Sequence, residues 1–163
     1  MPSAYLFFFT TDAIETMPSN QQFNIEQWLV YRLWRISQEA GFSLEKFYAK
    51  KFGLSGFDWR LIAAVATYAP ISAKGLAEVL DLSQVQMTRA LTNLIDEGMI
   101  SRRMDKADRR RIVLRLTKKG QDIYQQITPK AEAVEIDMLS DLEASERKQF
   151  LDTLTRIEEK IIR

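Results

Sequence analysis

Between Ile71 and Thr117 the apolar positions change period twice, and each change marks an element. Met87, Ala90, Leu91, Leu94 and Ile95 fall at the i, i+3, i+4, i+7, i+8 spacing of one helical face. That spacing predicts a helix from Gln84 with the stripe buried. Ser83 stands just before it and Gln86 three residues on, the two ends of a capping box, and Gly98 supplies a C-terminal stop. Upstream, Ser72 can cap a shorter helix over roughly Ala73 to Leu80, with Leu76, Val79 and Leu80 turned to the same stripe and Asp81 and Leu82 filling the turn. Downstream the helical period ends. Met99 and Ile100 open a strand and Ile112 to Leu116 supply a second, rich in branched residues, around the polar tip SRRMDKADRRR. Short helix, turn, longer helix and basic hairpin are the order of a winged helix-turn-helix.

The flanks are helical. From Asn24 to about Phe52, Leu29, Leu33, Ile36, Ala40, Leu44 and Phe47 step by three or four without losing phase, which predicts one long helix, with Gly41 a place for a kink. Trp28, Tyr31, Trp34, Phe42 and Tyr48 widen its apolar surface, as a core or dimer interface requires or as the wall of a ligand pocket would. Gly53 ends it, and Ser55 with Asp58 starts a helix that carries Trp59, Leu61, Ile62, Val65 and Ala66 inward. Beyond the hairpin, Thr117 caps a helix to about Leu139 with a kink or break expected near Thr128, before Pro129. Ser145 is placed to cap a last helix over Glu146 to Ile162, striped by Phe150, Leu151, Leu154, Ile157, Ile161 and Ile162. Little chain remains to cover that stripe, so a second copy is expected to do so. The resulting expectation is a mainly α fold: a leader over 1–23, an N-terminal dimerisation helix over 24–53, a winged helix-turn-helix lobe over 54–117 and C-terminal dimerisation helices over 118–163. The leader, with YLFFF at Tyr5 to Phe9, reads as an unordered segment, as sequence ahead of a true start at Met17, or as aromatics docked on a partner subunit.

Charge changes the picture. From Ser101 to Lys119 there are nine basic residues (Arg102, Arg103, Lys106, Arg109, Arg110, Arg111, Arg115, Lys118, Lys119) against Asp105 and Asp108, a local excess of seven. The whole chain carries +1, so the remainder sums to −6. A charge run is ordinarily a solvated face. Here it follows a helix whose outer side carries Gln84, Gln86, Thr88, Arg89, Thr92 and Asn93, groups whose donors and acceptors match base edges in a major groove. A cationic hairpin beside a groove-filling helix suits a polyanion. Gln84, Gln86, Thr88, Arg89 and Asn93 are therefore the expected contacts to bases or adjacent phosphates. Ser72 and Lys74 are placed to hold a phosphate by free amides and charge. Met87, close to the turn, could face either the core or thymine methyl groups. Asp96 and Glu97 limit the DNA face to residues up to Asn93.

Other chemistries are thinned out by composition. The chain has no cysteine and no histidine, which removes disulfides, thiol sensing and the commonest metal ligand and general base. No paired carboxylates or activated lysine suggest an enzyme, no cofactor or metal is expected, and no window approaches the roughly 18 apolar residues of a membrane span. A cytoplasmic location is expected.

The segment Asp105, Lys106, Ala107, Asp108, Arg109, Arg110, preceded by LIDEGMISRR and followed by RIVLRLTKKG, resembles the wing and flanks of the MarR family of bacterial transcription regulators. The resemblance runs from about Asn24 to Arg163. It implies a homodimer that binds double-stranded DNA at a pseudo-palindromic operator and, in many members, is released by a small aromatic or other ligand; a repressor is the expected role. It also implies that Arg110 enters the minor groove with Asp108 holding it, and that Arg109 and Lys106 sit on phosphates or share that role. The competing reading is a winged-helix interaction module whose basic wing meets an acidic protein.

Overall fold

The computed structural model describes residues 23–105, 108 and 110–162. Among these, six helices and one hairpin follow in the order α1 (Leu29–Phe52), α2 (Gly56–Tyr68), α3 (Ala73–Val79), α4 (Gln84–Asp96), β1 (Ile100–Met104), β2 (Ile112–Leu116), α5 (Lys118–Met138) and α6 (Ala144–Ile161). The architecture is the mainly α winged helix-turn-helix expected from the pattern. The chain divides into two units after Ile36, within α1.

Four helices start where a hydroxyl can serve a free amide. Ser55 Oγ accepts from the Asp58 amide at 3.2 Å while the Asp58 carboxylate accepts from the Ser55 amide at 2.9 Å. Ser83 and Gln86 repeat the exchange at 3.3 and 3.2 Å. Ser72 accepts from Gly75 at 3.0 Å and Thr117 from Gly120 at 3.1 Å. Gly98, at φ 72°, takes the left-handed conformation that turns the chain out of α4 into the hairpin.

In the unit from Ser37 onward, one core joins α2, α3, α4, the hairpin and α5. Leu61, Ile62 and Val65 meet Leu76, Met87, Leu91, Leu94, Ile100, Leu114 and Ile127, all essentially without solvent contact. The strands are antiparallel, in register from Ile100↔Leu116 to Met104↔Ile112. Ile71 adds a bridge to Leu114, its carbonyl accepting from the Leu114 amide at 2.8 Å. The hairpin is thereby tied to the residue just ahead of α3.

The L-T-x-x-G run after β2 is a clasp. Besides capping α5, the Thr117 hydroxyl donates to the Gly98 carbonyl at 2.6 Å. A β-carbon on Gly120 would stand 2.1 Å from the Met99 carbonyl oxygen, so only glycine lets α5 lie this close to the root of the hairpin.

Several expectations are corrected. Helix α1 starts at Leu29 rather than Asn24, because the Asn24 side chain accepts from the Glu26 amide at 2.9 Å and closes a turn first. It runs through Gly41 without a break. Helix α5 likewise continues past Pro129; both Pro129 and Gln125, whose carbonyl loses its usual donor, are exposed, so water can serve the orphaned group. Helix α6 starts two residues earlier than Ser145 would place it: Glu143 is the N-cap, and its amide donates to the Glu146 carboxylate at 2.9 Å. In the seven-residue α3 the inner positions are Leu76 and Ala77, and Val79 is exposed. The strands reach further than the apolar pattern, so Arg102 and Arg103 stand on β1 and not in the loop. The leader, including Tyr5 to Phe9, and the wing residues Lys106, Ala107 and Arg109 lie outside the described residues.

Candidate nucleic-acid interface

Helix α4 separates its residues sharply. Met87, Ala90, Leu91 and Leu94 are buried, while Gln84, Val85, Gln86, Thr88, Arg89, Thr92 and Asn93 are exposed. Met87 is thus wholly a core residue, which settles its two readings. The exposed residues form two adjoining surfaces that share Arg89. Gln84, Val85, Thr88 and Arg89 line one shallow depression. Gln86, Arg89, Ala90 and Asn93 line another, an open cleft of about 380 Å³ completed by Ser55, Phe57 and Asp58 at the start of α2.

Hydrogen bonds within the helix decide what each side chain still offers. The Gln86 oxygen is occupied by the amide and hydroxyl of Ser83, at 3.2 and 2.8 Å, and its NH₂ group is the part left to give. Thr88 and Thr92 donate their hydroxyls to the carbonyls of Gln84 and Thr88, both at 2.8 Å, which leaves lone pairs and methyl groups outward of the backbone. Gln84, Arg89 and Asn93 keep their polar groups for other partners.

On α3, the Ser72 hydroxyl is committed to the Gly75 amide. Lys74 is exposed and lies 3.8 Å from Glu78, an exposed i, i+4 pair of little energetic weight that an anion could displace. At the wing, Asp108 acts on the backbone. Its carboxylate accepts from the Arg110 amide at 3.0 Å and its carbonyl from the Arg111 amide at 2.9 Å, while Arg111 accepts from the Asp105 amide at 2.8 Å. These bonds shape the turn from which Arg110 projects, and they give the aspartate of the D-x-x-D-R-R run a structural task.

Two of the basic side chains already have partners within the fold. Lys118 pairs with Asp122 at 2.6 Å and Lys119 donates to the Glu97 carbonyl at 2.7 Å, so both serve α5 and the end of α4. Arg102, Arg103, Arg110, Arg111 and Arg115 are all exposed. Among the described residues the ion pairs are Lys74–Glu78 and Lys118–Asp122, neither of which includes a hairpin arginine. The arginines of β1 and the exposed Val85 are members of this surface that pattern reading passed over. A valine next to a polar face looks unremarkable in one dimension, and Arg102 and Arg103 stand in a run whose composition is that of a loop. Among the described residues no cluster of acidic side chains suits a metal ion, and no helix is long and apolar enough to cross a membrane.

Comparison with known proteins agrees with this geometry. Residues 52–111, from the end of α1 to the foot of β2, match the sequence profile of the MarR family. That segment is MarR-like in sequence. It is 26% identical over 133 residues, 82% of its own length and 79% of the relative's, to an uncharacterized HTH-type transcriptional regulator, YdgJ, of Bacillus subtilis (strain 168). Its fold superposes with a TM-score of 0.74 on a MarR/EmrR family transcriptional regulator from Acinetobacter sp. ADP1, at 22% identity and with 85% and 98% of the two chains covered. The same score relates it to S. aureus MepR in a MepR–DNA complex, at 20% identity over 83% and 98% of the chains. The Bacillus relative and the Acinetobacter neighbour are both transcriptional regulators.

Proposed function

We propose that the chain acts as a homodimer that binds a pseudo-palindromic double-stranded operator sequence-specifically in the cytoplasm and represses transcription there, released by a small aromatic effector. The observation that carries the DNA reading is the division of α4: a buried apolar stripe behind an exposed face of Gln84, Thr88, Arg89 and Asn93, beside a hairpin of exposed arginines. In this reading Gln84, Arg89 and Asn93 face base edges, and the free amide of Gln86 reaches a backbone phosphate. Ser72 and Lys74 hold a phosphate, and Arg110, on the turn shaped by Asp108, enters the minor groove. Lys106 and Arg109 add phosphate contacts. The MepR complex with DNA supports the docking by likeness of fold.

The dimer is supported by two exposed apolar faces. Leu29, Leu33, Trp34 and Ile36 are exposed on α1, and Phe150, Leu151, Ile157 and Ile161 on α6. Such surfaces are large for a lone chain and ordinary for one that pairs. With two reading helices about 34 to 36 Å apart, half-sites fall one turn apart.

A footprint of the purified protein on duplexes selected from random sequence, repeated across a salt series, tests the proposal. The expected result is a protected pair of half-sites and a fall in log affinity with log salt of about 0.9 per phosphate contact. Adding phenolic acids should lift the footprint. Binding that ignores both sequence and salt would overturn the DNA reading.

A further inference from the structure

Val85, in the first turn of α4, is 80% exposed, the highest value for any large hydrophobic side chain among the described residues. Its own chain gives no reason for it. The buried stripe is complete with Met87, Ala90, Leu91 and Leu94, and a β-branched residue is a poor choice for a helix when packing does not ask for it. Its surroundings do suggest one. Val85 lines the depression it shares with Gln84, Thr88 and Arg89. The Thr88 hydroxyl is already given to the Gln84 carbonyl, so the substituent it adds without a bond of its own is a methyl. The result is a shallow, largely apolar depression that Gln84 and Arg89 also line, near the N-terminal end of the helix, the end that meets base edges in helix-turn-helix proteins.

Only one group in a B-DNA major groove matches such a depression. The C5 methyl of thymine is the apolar feature of the groove edge, and it sits beside an O4 acceptor that an amide or guanidinium can reach. We infer that Val85 is a specificity-determining residue that packs on a thymine methyl in each half-site. Gln84 or Arg89 then takes the neighbouring acceptor. This rests on α4 being the helix that enters the major groove. It gives the exposed valine the methyl contact for which Met87, fully buried, is unavailable.

The test uses the full-length protein and the duplex that it enriches from random sequence. Each thymine of that duplex is replaced in turn by deoxyuridine, which deletes the methyl and keeps the hydrogen-bonding edge. Wild type, Val85→Ala and Val85→Ser are compared, with thermal melting to verify that all three are folded. At one thymine per half-site the replacement should weaken wild type by about 4-fold, the effect of one buried methyl group. Val85→Ala and Val85→Ser should be indifferent at that same thymine while keeping the wild-type salt slope. If no replacement weakens wild type, or if both variants lose as much as wild type does, the Val85 contact is overturned and the DNA reading stands. If wild type enriches no duplex at all, both fall together.

Discussion

Helices α4 and α6 carry the same kind of sequence and meet different fates. Each has apolar residues at helical spacing on one face and polar residues on the other. In α4 the face is closed within the chain, with Met87, Leu91 and Leu94 essentially inaccessible. In α6 no residue is buried; Phe150, Leu151, Ile157 and Ile161 all meet solvent. An amphipathic pattern therefore states that a face needs cover, and it is silent on whether the cover is the same chain or another. The contrast also separates the two tasks proposed for this protein. The face of α4 is covered within one chain, whereas that of α6 has no cover among the described residues, and the proposed dimer would supply it.

The sharpest way to break that contrast is to empty each face in turn. Leu91→Ala removes a side chain from the centre of the core, and about 2 to 5 kcal/mol of stability should go with it. The loss, read by denaturant unfolding, should keep its size when protein concentration is varied, because the cavity lies within one chain. Gly120→Ala comes next. Its new methyl meets the Met99 backbone rather than a side chain that could rotate away, so α5 must shift from the hairpin root at a cost of about 1 to 3 kcal/mol. Melting of the variant checks it. An unchanged midpoint would mean that the L-T-x-x-G clasp is slack. Ile157→Ser on α6 should cost about 1 to 2 kcal/mol per copy, and here the dependence is reversed. Sedimentation should show a shift towards monomer, and stability should become less sensitive to concentration. A variant that stays fully associated would remove α6 from the interface.

What could be read from residues alone follows the same division. Local signals were legible. Ser55 with Asp58, Ser83 with Gln86, and Thr117 mark helix starts because their bonds span three residues, and the α4 stripe repeats often enough to define its own phase. Gly98 announced the exit from α4 because positive φ is nearly its private territory. Where signals were few or compensated, the reading slipped. Seven residues of α3 are too few to fix a phase, so nothing in their order shows that Ala77 and not Val79 is the inner residue. Asn24 has the chemistry of a cap and uses it for a turn. Glu143 is an unusual cap, and Ser145 two residues on is of a commoner type, so the start of α6 is not legible from residue type. At the candidate interface the residue types were legible but not their commitments. Nothing in the order of residues separates Lys119, tied to the Glu97 carbonyl, from an arginine left in solvent. A periodicity search also cannot single out a lone exposed valine.

The smallest effect probes those commitments within α4. Gln84 and Gln86 look equivalent in sequence, but in the structure the oxygen of Gln86 accepts from both the amide and the hydroxyl of Ser83, at 3.2 and 2.8 Å. Gln86→Ala should therefore lower stability by about 0.5 to 1 kcal/mol through the lost cap. If its free amide touches a phosphate, it should weaken DNA binding evenly across sequences, because phosphate contacts carry no base information. Gln84→Ala should leave the melting midpoint nearly unchanged and instead relax the base preference at one position per half-site. Selection of binding sites with each variant, alongside melting curves, separates the two. If Gln86→Ala altered the selected bases while leaving stability intact, its cap would be broken when DNA arrives, and the face assigned to reading would have to be widened by one residue.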